Sequence, residues 1–318
     1  MNEKIKKTEY IGQMLHIKPH YIVSLPAYHS DYKFKSVRQL ANEANLKLNQ
    51  NGSDISQKSD KKIRSAINWL LVSAEDKKVY QKLKDRWFDF KVNFITLTLP
   101  DTQQQINNKA FKNELLEPWL NLMRTHYKLK NYVWKMEFQG NGKLHCHITT
   151  DTFIHYKVIQ TSWNNLLRRN NYLIDFAKKF EHSNPNSTDI HSVRKIKDLA
   201  AYLCKYMAKG TGSKETFEGR IWGCSQKISE AMKTSYFMCR SENGHPIQCL
   251  FHKNIEYSAL TIIDKNTQQP RRWGEIYFLK FKNWLHDIDG VIKQTFTDAI
   301  LNIRGVTSNT AQLQHYSV

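Results

Sequence analysis

The stretch "NYVWKMEFQGNGKLHCHITT" (residues 131–150) predicts a β-hairpin. Both halves contain aromatic or β-branched residues, and the Gly-Asn-Gly sequence between them is a strong turn signal. Successive side chains of a strand point to opposite faces, so His145 and His147 are expected to share one face. A single histidine on a strand is more often a packing residue. Two on one face, directly after a turn, favour a site for a divalent metal ion.

A third ligand is expected just upstream, where Glu137 and Gln139 are the candidates. The register of the hairpin decides whether Glu137 can serve. A two-residue Asn-Gly turn would place Glu137 opposite Cys146, on the wrong face of the sheet. A three-residue loop, Gly-Asn-Gly, would place it opposite His145 and on the same face. The sequence permits both registers, and a metal site requires the second.

A second candidate for chemistry is the segment "KDLAAYLCKYMAKG" (197–210), which predicts a helix that ends at a glycine. Four polar side chains are spaced at i, i+3, i+4 and i+7 and therefore share one helix face: Tyr202, Lys205, Tyr206 and Lys209. The nearly opposite face is apolar and is expected to pack on the sheet: Ala200, Leu203, Cys204 and Met207.

Two interpretations of this tyrosine–lysine face compete. It is either an ordinary amphipathic surface, with solvated lysines, or a site of covalent catalysis in which a tyrosine oxygen attacks phosphorus. Free tyrosine has a pKa of about 10, so it needs assistance at neutral pH. A nearby lysine ammonium can stabilise the phenolate, and a metal ion can act as a Lewis acid on the phosphate. Two tyrosines one helical turn apart can alternate, one holding a DNA end while the other attacks.

The surrounding pattern gives the fold class. "VNFITLTLP" (92–100) alternates as a strand, with Ile95, Leu97 and Leu99 on one face. Residues 112–129 read as a helix, with Pro118 as a point where it could restart, and the remaining pattern continues the order β-α-β-β-α-β-α. This order predicts an α+β fold with a mainly antiparallel central sheet covered by helices.

The chain is predicted to divide into three segments. Residues 1–90 form a basic accessory region, in which 61–87 reads as one basic amphipathic helix; residues 91–225 form the core, and 226–318 a C-terminal accessory region. Across all 318 residues, 48 Lys and Arg stand against 29 Asp and Glu, giving a net charge of +19. Such an excess indicates a polyanionic partner: nucleic acid first, an acidic membrane surface second.

Other features predict a cytoplasmic protein. The five cysteines are odd in number and show no Cys-x-x-Cys spacing, as expected of free thiols in a reducing compartment. No apolar run approaches the roughly 20 residues of a membrane span, and the N-terminal stretch lacks the apolar core of a signal peptide. No membrane partner is therefore expected.

In three motifs, occurring in the same order along the chain, the sequence resembles the HUH endonuclease superfamily and specifically its rolling-circle replication initiators. "FITLTLP" (94–100) looks like motif I, and "LHCHI" (144–148) is similar to the histidine–hydrophobic–histidine motif II. "YLCKYMAK" (202–209) matches the Tyr-x-x-Lys of motif III twice. The doubled form is similar to the gene A type initiators of single-stranded DNA bacteriophages.

This resemblance implies a ferredoxin-like or RRM-like palm and a metal site that uses Mg²⁺ or Mn²⁺. His145 and His147 would be ligands, completed by an acidic or amide residue upstream, for which Glu137 is preferred to Gln139. It also implies that Tyr202 and Tyr206 are the nucleophiles. Their phosphate-facing partners would be Lys205 and Lys209.

The resemblance further implies single-stranded DNA at a replication origin as the partner, in the cytoplasm of a bacterial host cell. Many viral members carry a helicase with the P-loop Gly-x-x-x-x-Gly-Lys-[Ser/Thr], and "GTGSKET" (210–216) lacks its second glycine. Strand unwinding is therefore expected to depend on a host helicase, and synthesis on a host polymerase.

Three alternatives remain open at this stage. A transposase or conjugative relaxase of the same superfamily would use the same chemistry, and a zinc hydrolase would leave the tyrosine–lysine helix unexplained. A non-catalytic RRM-like nucleic-acid-binding protein would expose aromatic side chains on the central strands, where this sequence has Thr96 and Thr98. The scattered tryptophans could stack on DNA or belong to the core: Trp134, Trp163 and Trp222.

Overall fold

A computed structural model describes most of the chain: residues 9–29, 57–81, 85–100, 106–138, 143–193, 199–208, 219–239, 256–263, 268–278 and 290–306. The chain forms two compact units. One is Ala44–Ser229, and the other combines Met1–Glu43 with Glu230–Val318. The assignment of accessory and core roles to 1–90, 91–225 and 226–318 stays a prediction.

The described strands are β1 Glu9–Lys18, β2 Tyr21–His29, β3 Lys77–Gln81, β4 Arg86–Phe90, β5 Val92–Thr98, β6 Tyr132–Phe138, β7 Leu144–Thr150, β8 Thr188–Val193, β9 Trp222–Cys224, β10 Ser235–Cys239, β11 Tyr257–Ile263 and β12 Pro270–Phe278. The described helices are α1 Gln57–Ser73, α2 at 108–127, α3 Tyr156–Arg169, α4 Ile174–Phe180, α5 Leu199–Ala208, α6 Gln226–Ala231 and α7 Gly290–Arg304. Helix α2 joins Asn108–Ala110, a π-helical turn Phe111–Leu116 and Glu117–Tyr127.

The central sheet of the unit Ala44–Ser229 has the strand order β8-β5-β7-β6-β9. Every neighbouring pair in it is antiparallel. Four of its strands follow one another along the chain as β5, β6, β7 and β8. Helix α2 connects β5 to β6, and helices α3 and α4 lie between β7 and β8, which is the β-α-β-β-α-β arrangement of a ferredoxin-like fold. The predicted α+β class with a central antiparallel sheet is therefore confirmed.

One face of this sheet, here called the core face, is apolar. Ile95 and Leu97 lie on it and are fully buried, as their alternation with threonines predicted. The core face packs against α2 and α3, and the cluster includes their large side chains: Phe111, Leu115, Trp119, Met123, Ile159 and Trp163.

Two of the three tryptophans proposed as DNA-stacking candidates belong to this core. Trp134 and Trp163 are 4% and 0% exposed, so a role in stacking on DNA is wrong for both. The indole of Trp134 lies against Gly223 of β9, where any Cβ would fall within 3 Å of the ring. Trp222, next to that glycine, is half-buried.

Helix α2 runs through Pro118 without a break. Proline lacks the N–H that an α-helix needs and its ring crowds the preceding turn. The turn just before the proline is π-helical and therefore wider than an α-helical turn, because the N–H of Glu117 donates to the carbonyl oxygen of Lys112, five residues back. The helical segment starts four residues earlier than predicted. Its α-helical part resumes at Glu117 after the π-helical turn, with Pro118 in its first turn, in line with the restart that the sequence allowed there.

The predicted helix at 61–87 is wrong beyond Ser73. Helix α1 ends there, and Lys77–Gln81 and Arg86–Phe90 form an antiparallel hairpin. The hairpin buries Phe90 and pairs the rings of Tyr80 and Trp87 across its strands. Aromatic and β-branched residues favour such pairing, and this tertiary packing outweighs the helical spacing of the lysines.

The second unit contains an antiparallel sheet of order β10-β1-β2-β12-β11 and helix α7. Its core includes three fully buried strand residues near the β1–β2 turn, Leu15, Ile17 and Ile22. On α7 the buried residues include Ile292 and Phe296. Gly274 permits close approach of β12 to β2, because a Cβ there would lie 2.3 Å from the carbonyl oxygen of Ser24.

Candidate metal centre and the tyrosine helix

The register of the β6–β7 hairpin places Glu137 opposite His145. This is the register that a metal site requires. Lys135 lies opposite His147 in the same pairing. Since side chains alternate along each strand, these four residues lie on one face of the sheet, here called the histidine face. Thr96 and Thr98 of the neighbouring β5 pair with His147 and His145 and extend that face. Gln139, the alternative ligand, lies outside the described residues.

The two histidines converge on a single carboxylate oxygen. Glu137 Oε1 is 2.8 Å from His145 Nε2 and 2.9 Å from His147 Nε2. The two imidazole rings are 4.4 Å apart between centroids. One ligand atom from each of the three residues lies within 4.8 Å of the others. The strand register thus brings the three predicted ligands together on one face of the sheet.

Thr96 and Phe94 fix the orientation of the His147 ring. Thr96 Oγ1 lies 3.0 Å from His147 Nδ1, and the Phe94 ring stacks on the imidazole at 5.1 Å. A carboxylate can only accept hydrogen bonds, so with Nε2 donating to Glu137 the Thr96 hydroxyl donates to Nδ1. Coordination through Nε2 would require the proton on Nδ1, where Thr96 Oγ1 can accept it. A hydroxyl can both donate and accept a hydrogen bond, so Thr96 is compatible with either tautomer of His147.

Lys135 supplies a buried positive charge beside the carboxylate. Its Nζ lies 3.0 Å from Glu137 Oε2, and its side chain is 0% exposed, whereas Glu137 is 19% exposed. A buried ammonium needs a partner, because removing a charge from water is unfavourable. Glu137 therefore directs one oxygen toward Lys135 and the other toward the two histidines.

Burial and charge act in opposite directions on this cluster. Burial by itself would raise the pKa of the Glu137 carboxyl, but hydrogen bonds from His145 and His147 and the charge of Lys135 lower that pKa well below its usual range. Burial lowers the pKa of His147, against the opposing effect of its hydrogen bond to Glu137. Around neutral pH the cluster thus offers an ionised carboxylate and, at His147, a neutral imidazole.

This donor set fits a divalent cation. Two imidazole nitrogens and one carboxylate oxygen leave coordination positions for water or substrate, as catalytic metal sites do. The hydroxyl of Thr96 and the ammonium of Lys135 hold two of the three ligands from behind. Within the part of the chain that is described, this is the one group of three or more His, Cys, Asp or Glu side chains with suitable spacing.

Helix α5 carries the predicted nucleophiles and contacts β7, the strand of the two histidines. Leu203 and Cys204 are buried, as predicted for the apolar face of this helix. Tyr202 is half-buried and Lys205 is exposed, as expected for the opposite face. The backbone of Tyr206 belongs to α5. Its side chain, and the whole of Lys209, lie outside the described residues, so their roles stay predictions.

Lys135 and Phe94 are parts of the site that the sequence argument overlooked. Strand alternation could have identified both. Lys135 lies two residues from Glu137 along β6, and Phe94 lies two residues from Thr96 along β5, so each shares the histidine face. A lysine in the middle of an otherwise apolar strand indicates a buried counter-ion. Its partner could be identified only once the register was known.

The fold and the site define a ferredoxin-like α+β protein with a candidate divalent-metal centre next to a tyrosine-bearing helix. Residues 92–211 match the family described as replication-associated protein ORF2. That segment is just over a third of the chain and contains all three motifs and the whole metal centre. The match supports a role in the initiation of DNA replication, with DNA as a partner. No curated protein and no solved structure matches the chain.

Two further expectations can be compared with the structure. Among the described residues, no helix is long and apolar enough to cross a membrane. Cys146, Cys204 and Cys224 are free thiols, in line with the prediction for the cysteines.

Proposed function

We propose that this protein is an HUH endonuclease of the two-tyrosine type that initiates rolling-circle replication. It would nick single-stranded DNA at a replication origin, hold the 5′ end as a phosphotyrosine and later rejoin the ends. The match of residues 92–211 to replication-associated proteins supports the biological role. The convergence of His145 and His147 on one oxygen of Glu137 is the observation that carries the chemistry.

In this proposal Glu137, His145 and His147 hold Mg²⁺ or Mn²⁺. The bound ion would supply Lewis-acid stabilisation of charge on the scissile phosphate. With the ion bound, Thr96 Oγ1 would accept the proton on His147 Nδ1 and leave Nε2 of that ring to the metal. Lys135 holds Glu137 Oε2, so that Oε1 remains directed between the two imidazoles.

The nucleophile is the phenol oxygen of Tyr202 or Tyr206. It forms a bond to phosphorus while the bond from phosphorus to the 3′ oxygen breaks, and the phenol proton is lost as the 3′ oxygen leaves as a hydroxyl. Lys205 and Lys209 would stabilise the phenolate and position the phosphate. Rejoining is the reverse reaction, in which a 3′ hydroxyl attacks the phosphotyrosine. With two tyrosines, one can hold a DNA end while the other cuts.

The cellular setting follows from the same proposal. The sequence contains no Gly-x-x-x-x-Gly-Lys-[Ser/Thr] motif, so a host helicase would unwind the duplex and a host polymerase would extend the 3′ end. The reaction would take place in the cytoplasm of a bacterial host cell. A transposase or relaxase would use the same residues, and the match to replication-associated proteins favours replication.

A non-catalytic RRM-like protein is disfavoured by the histidine face. That function would need aromatic side chains available for stacking on the central strands. Phe94 is the aromatic residue of this face on β5, and it is 4% exposed and stacked on His147. The neighbouring positions are occupied by Thr96, Lys135 and Glu137.

The proposal is tested by mixing the purified chain with single-stranded oligonucleotides that tile its replicon, with Mn²⁺ or with EDTA. A denaturing gel then shows whether DNA remains attached to protein, and mass spectrometry identifies the modified tyrosine. We expect an adduct that requires metal and is abolished by His145→Ala. Tyr202→Phe or Tyr206→Phe alone should leave some adduct, and the double variant none.

Tyr127→Phe serves as the matched control, because Tyr127 is an exposed tyrosine on α2, outside motif III. Adduct formation that persists in EDTA, or in the double tyrosine variant, would refute the proposed chemistry. Tight binding without any adduct across the whole replicon would leave a basic DNA-binding protein.

A further inference from the structure

The β3–β4 hairpin presents two exposed aromatic side chains to solvent. Trp87 is 63% exposed and Tyr80 is 46% exposed, although both are large side chains that usually bury most of their surface. They are direct cross-strand partners, with ring centroids 5.3 Å apart. The Tyr80 hydroxyl also donates a hydrogen bond to Asp85 at the turn, which restrains the ring.

The opposite face of the hairpin anchors it to the unit that holds the metal centre. Phe88 and Phe90 pack edge-to-face on Phe153, with centroids 5.5 Å and 5.4 Å away. Lys77 Nζ donates to the carbonyl oxygen of Asp151 at 3.2 Å. The aromatic pair therefore projects outward from an anchored hairpin.

The charge around the pair suits a polyanion. Between residues 77 and 90 the sequence has five basic residues, Lys77, Lys78, Lys82, Lys84 and Arg86, and two acidic ones, Asp85 and Asp89. Lys78 is exposed on the face of the aromatic pair, two residues before Tyr80. Arg86 precedes Trp87 in the chain and is exposed as well, with its side chain on the other face of the hairpin. Exposed aromatic rings among basic side chains are the combination by which proteins bind single-stranded nucleic acid, through base stacking and phosphate attraction.

We propose that Tyr80 and Trp87 form a stacking platform for the unpaired bases of single-stranded DNA. The choice of DNA as the partner rests on the proposed function. Asp151, where the hairpin is anchored, follows His147 by four residues, or roughly 13 Å along an extended chain. Tyr80 lies three residues beyond Lys77, or roughly 10 Å further along β3, so a single strand of DNA that leaves the metal centre would need several nucleotides to reach the platform.

The competing explanation is that the pair only stabilises the hairpin, since cross-strand aromatic pairs do so in sheets generally. The two explanations differ in what a variant changes. A stacking platform affects the affinity for unpaired bases, while a purely structural pair affects thermal unfolding alone.

The test measures binding of the full chain to a fluorescein-labelled oligothymidylate by fluorescence anisotropy, in EDTA so that no metal-dependent cleavage occurs. Trp87→Ala should weaken binding about 5- to 100-fold, and Trp87→Phe should restore much of the affinity. The slope of affinity against salt concentration should stay the same, because no phosphate contact is removed. Binding of a duplex should not respond, because its bases are already stacked.

Tyr156→Ala is the matched control, since Tyr156 is 47% exposed and lies on α3, outside the hairpin. The proposal would be overturned if Trp87→Ala and Tyr80→Ala bound the oligonucleotide with the same affinity as the control variant Tyr156→Ala. If the alanine variants unfold, photo-crosslinking of the wild-type chain to an iodouracil oligonucleotide decides: crosslinks to Tyr80 or Trp87 support the platform, and crosslinks confined to other segments refute it. Trp87-dependent binding without any tyrosine adduct would refute the nickase alone.

Discussion

Replacing Glu137 by glutamine removes one negative charge while preserving the size of the side chain. The carboxylate accepts hydrogen bonds from His145 at 2.8 Å and His147 at 2.9 Å, and forms an ion pair with Lys135 at 3.0 Å. Lys135 is 0% exposed, so the variant leaves its ammonium buried without this carboxylate. Breaking a buried ion pair by removing one partner costs about 3–5 kcal/mol.

We expect the lower end of that range, because the glutamine carbonyl can still accept one of the three interactions. A loss of about 3 kcal/mol corresponds to a decrease of about 6–12 °C in Tm for a unit of this size. Ligand binding should respond as well. An ion at 100 times its Kd stabilises a protein by about 2.7 kcal/mol, and the variant should lose most of that gain because one of three ligands is weakened.

The assay is urea unfolding followed by circular dichroism, with and without Mn²⁺, on the wild type and Glu137→Gln. Glu117→Gln is the matched control: its carboxylate is 45% exposed and 3.9 Å from Lys112, so its loss should change stability by no more than about 0.5 kcal/mol. Equal stability losses in the two variants would show that Glu137 is not the counter-ion of Lys135. Equal stabilisation of Glu137→Gln and wild type by Mn²⁺ would show that it is not a ligand.

Two further predictions concern the histidine beside it. Burial lowers the pKa of His147, so the unfolded chain takes up a proton near the ordinary value of 6.5 while the folded chain does so only at lower pH. The free energy of unfolding, measured by urea titration, should therefore fall as pH drops below 6.5, and it should fall less steeply in His147→Gln. Identical pH profiles for the wild type and the variant would contradict this. Thr96→Val removes the hydroxyl at 3.0 Å from His147 Nδ1 and should weaken Mn²⁺ binding in calorimetry by about 10-fold or more, whereas Thr96→Ser should bind like the wild type. Wild-type affinity in the valine variant would rule out support of His147 by Thr96.

Much of the candidate site was predictable because its residues are close in sequence and regular in spacing. Once the strand and the helix form, backbone periodicity places His145 and His147 on one strand face and Leu203 and Cys204 in one stripe of α5. The role of Glu137 was not fixed in this way, since two turns of different length were compatible with the sequence. The partner of Lys135 was not predictable either, since it depends on the same choice.

Local sequence also determined the order of elements and the α+β class, because periods of 2 and 3.6 residues are properties of the backbone. Tertiary structure decided where local preferences were balanced or opposed. It buried Trp134 and Trp163 in the core, and it turned the second half of a predicted helix into the hairpin that carries Tyr80 and Trp87. Burial of Phe90 and contacts with Phe153 stabilise that hairpin, and those partners lie too far apart in sequence for any local pattern to reveal them.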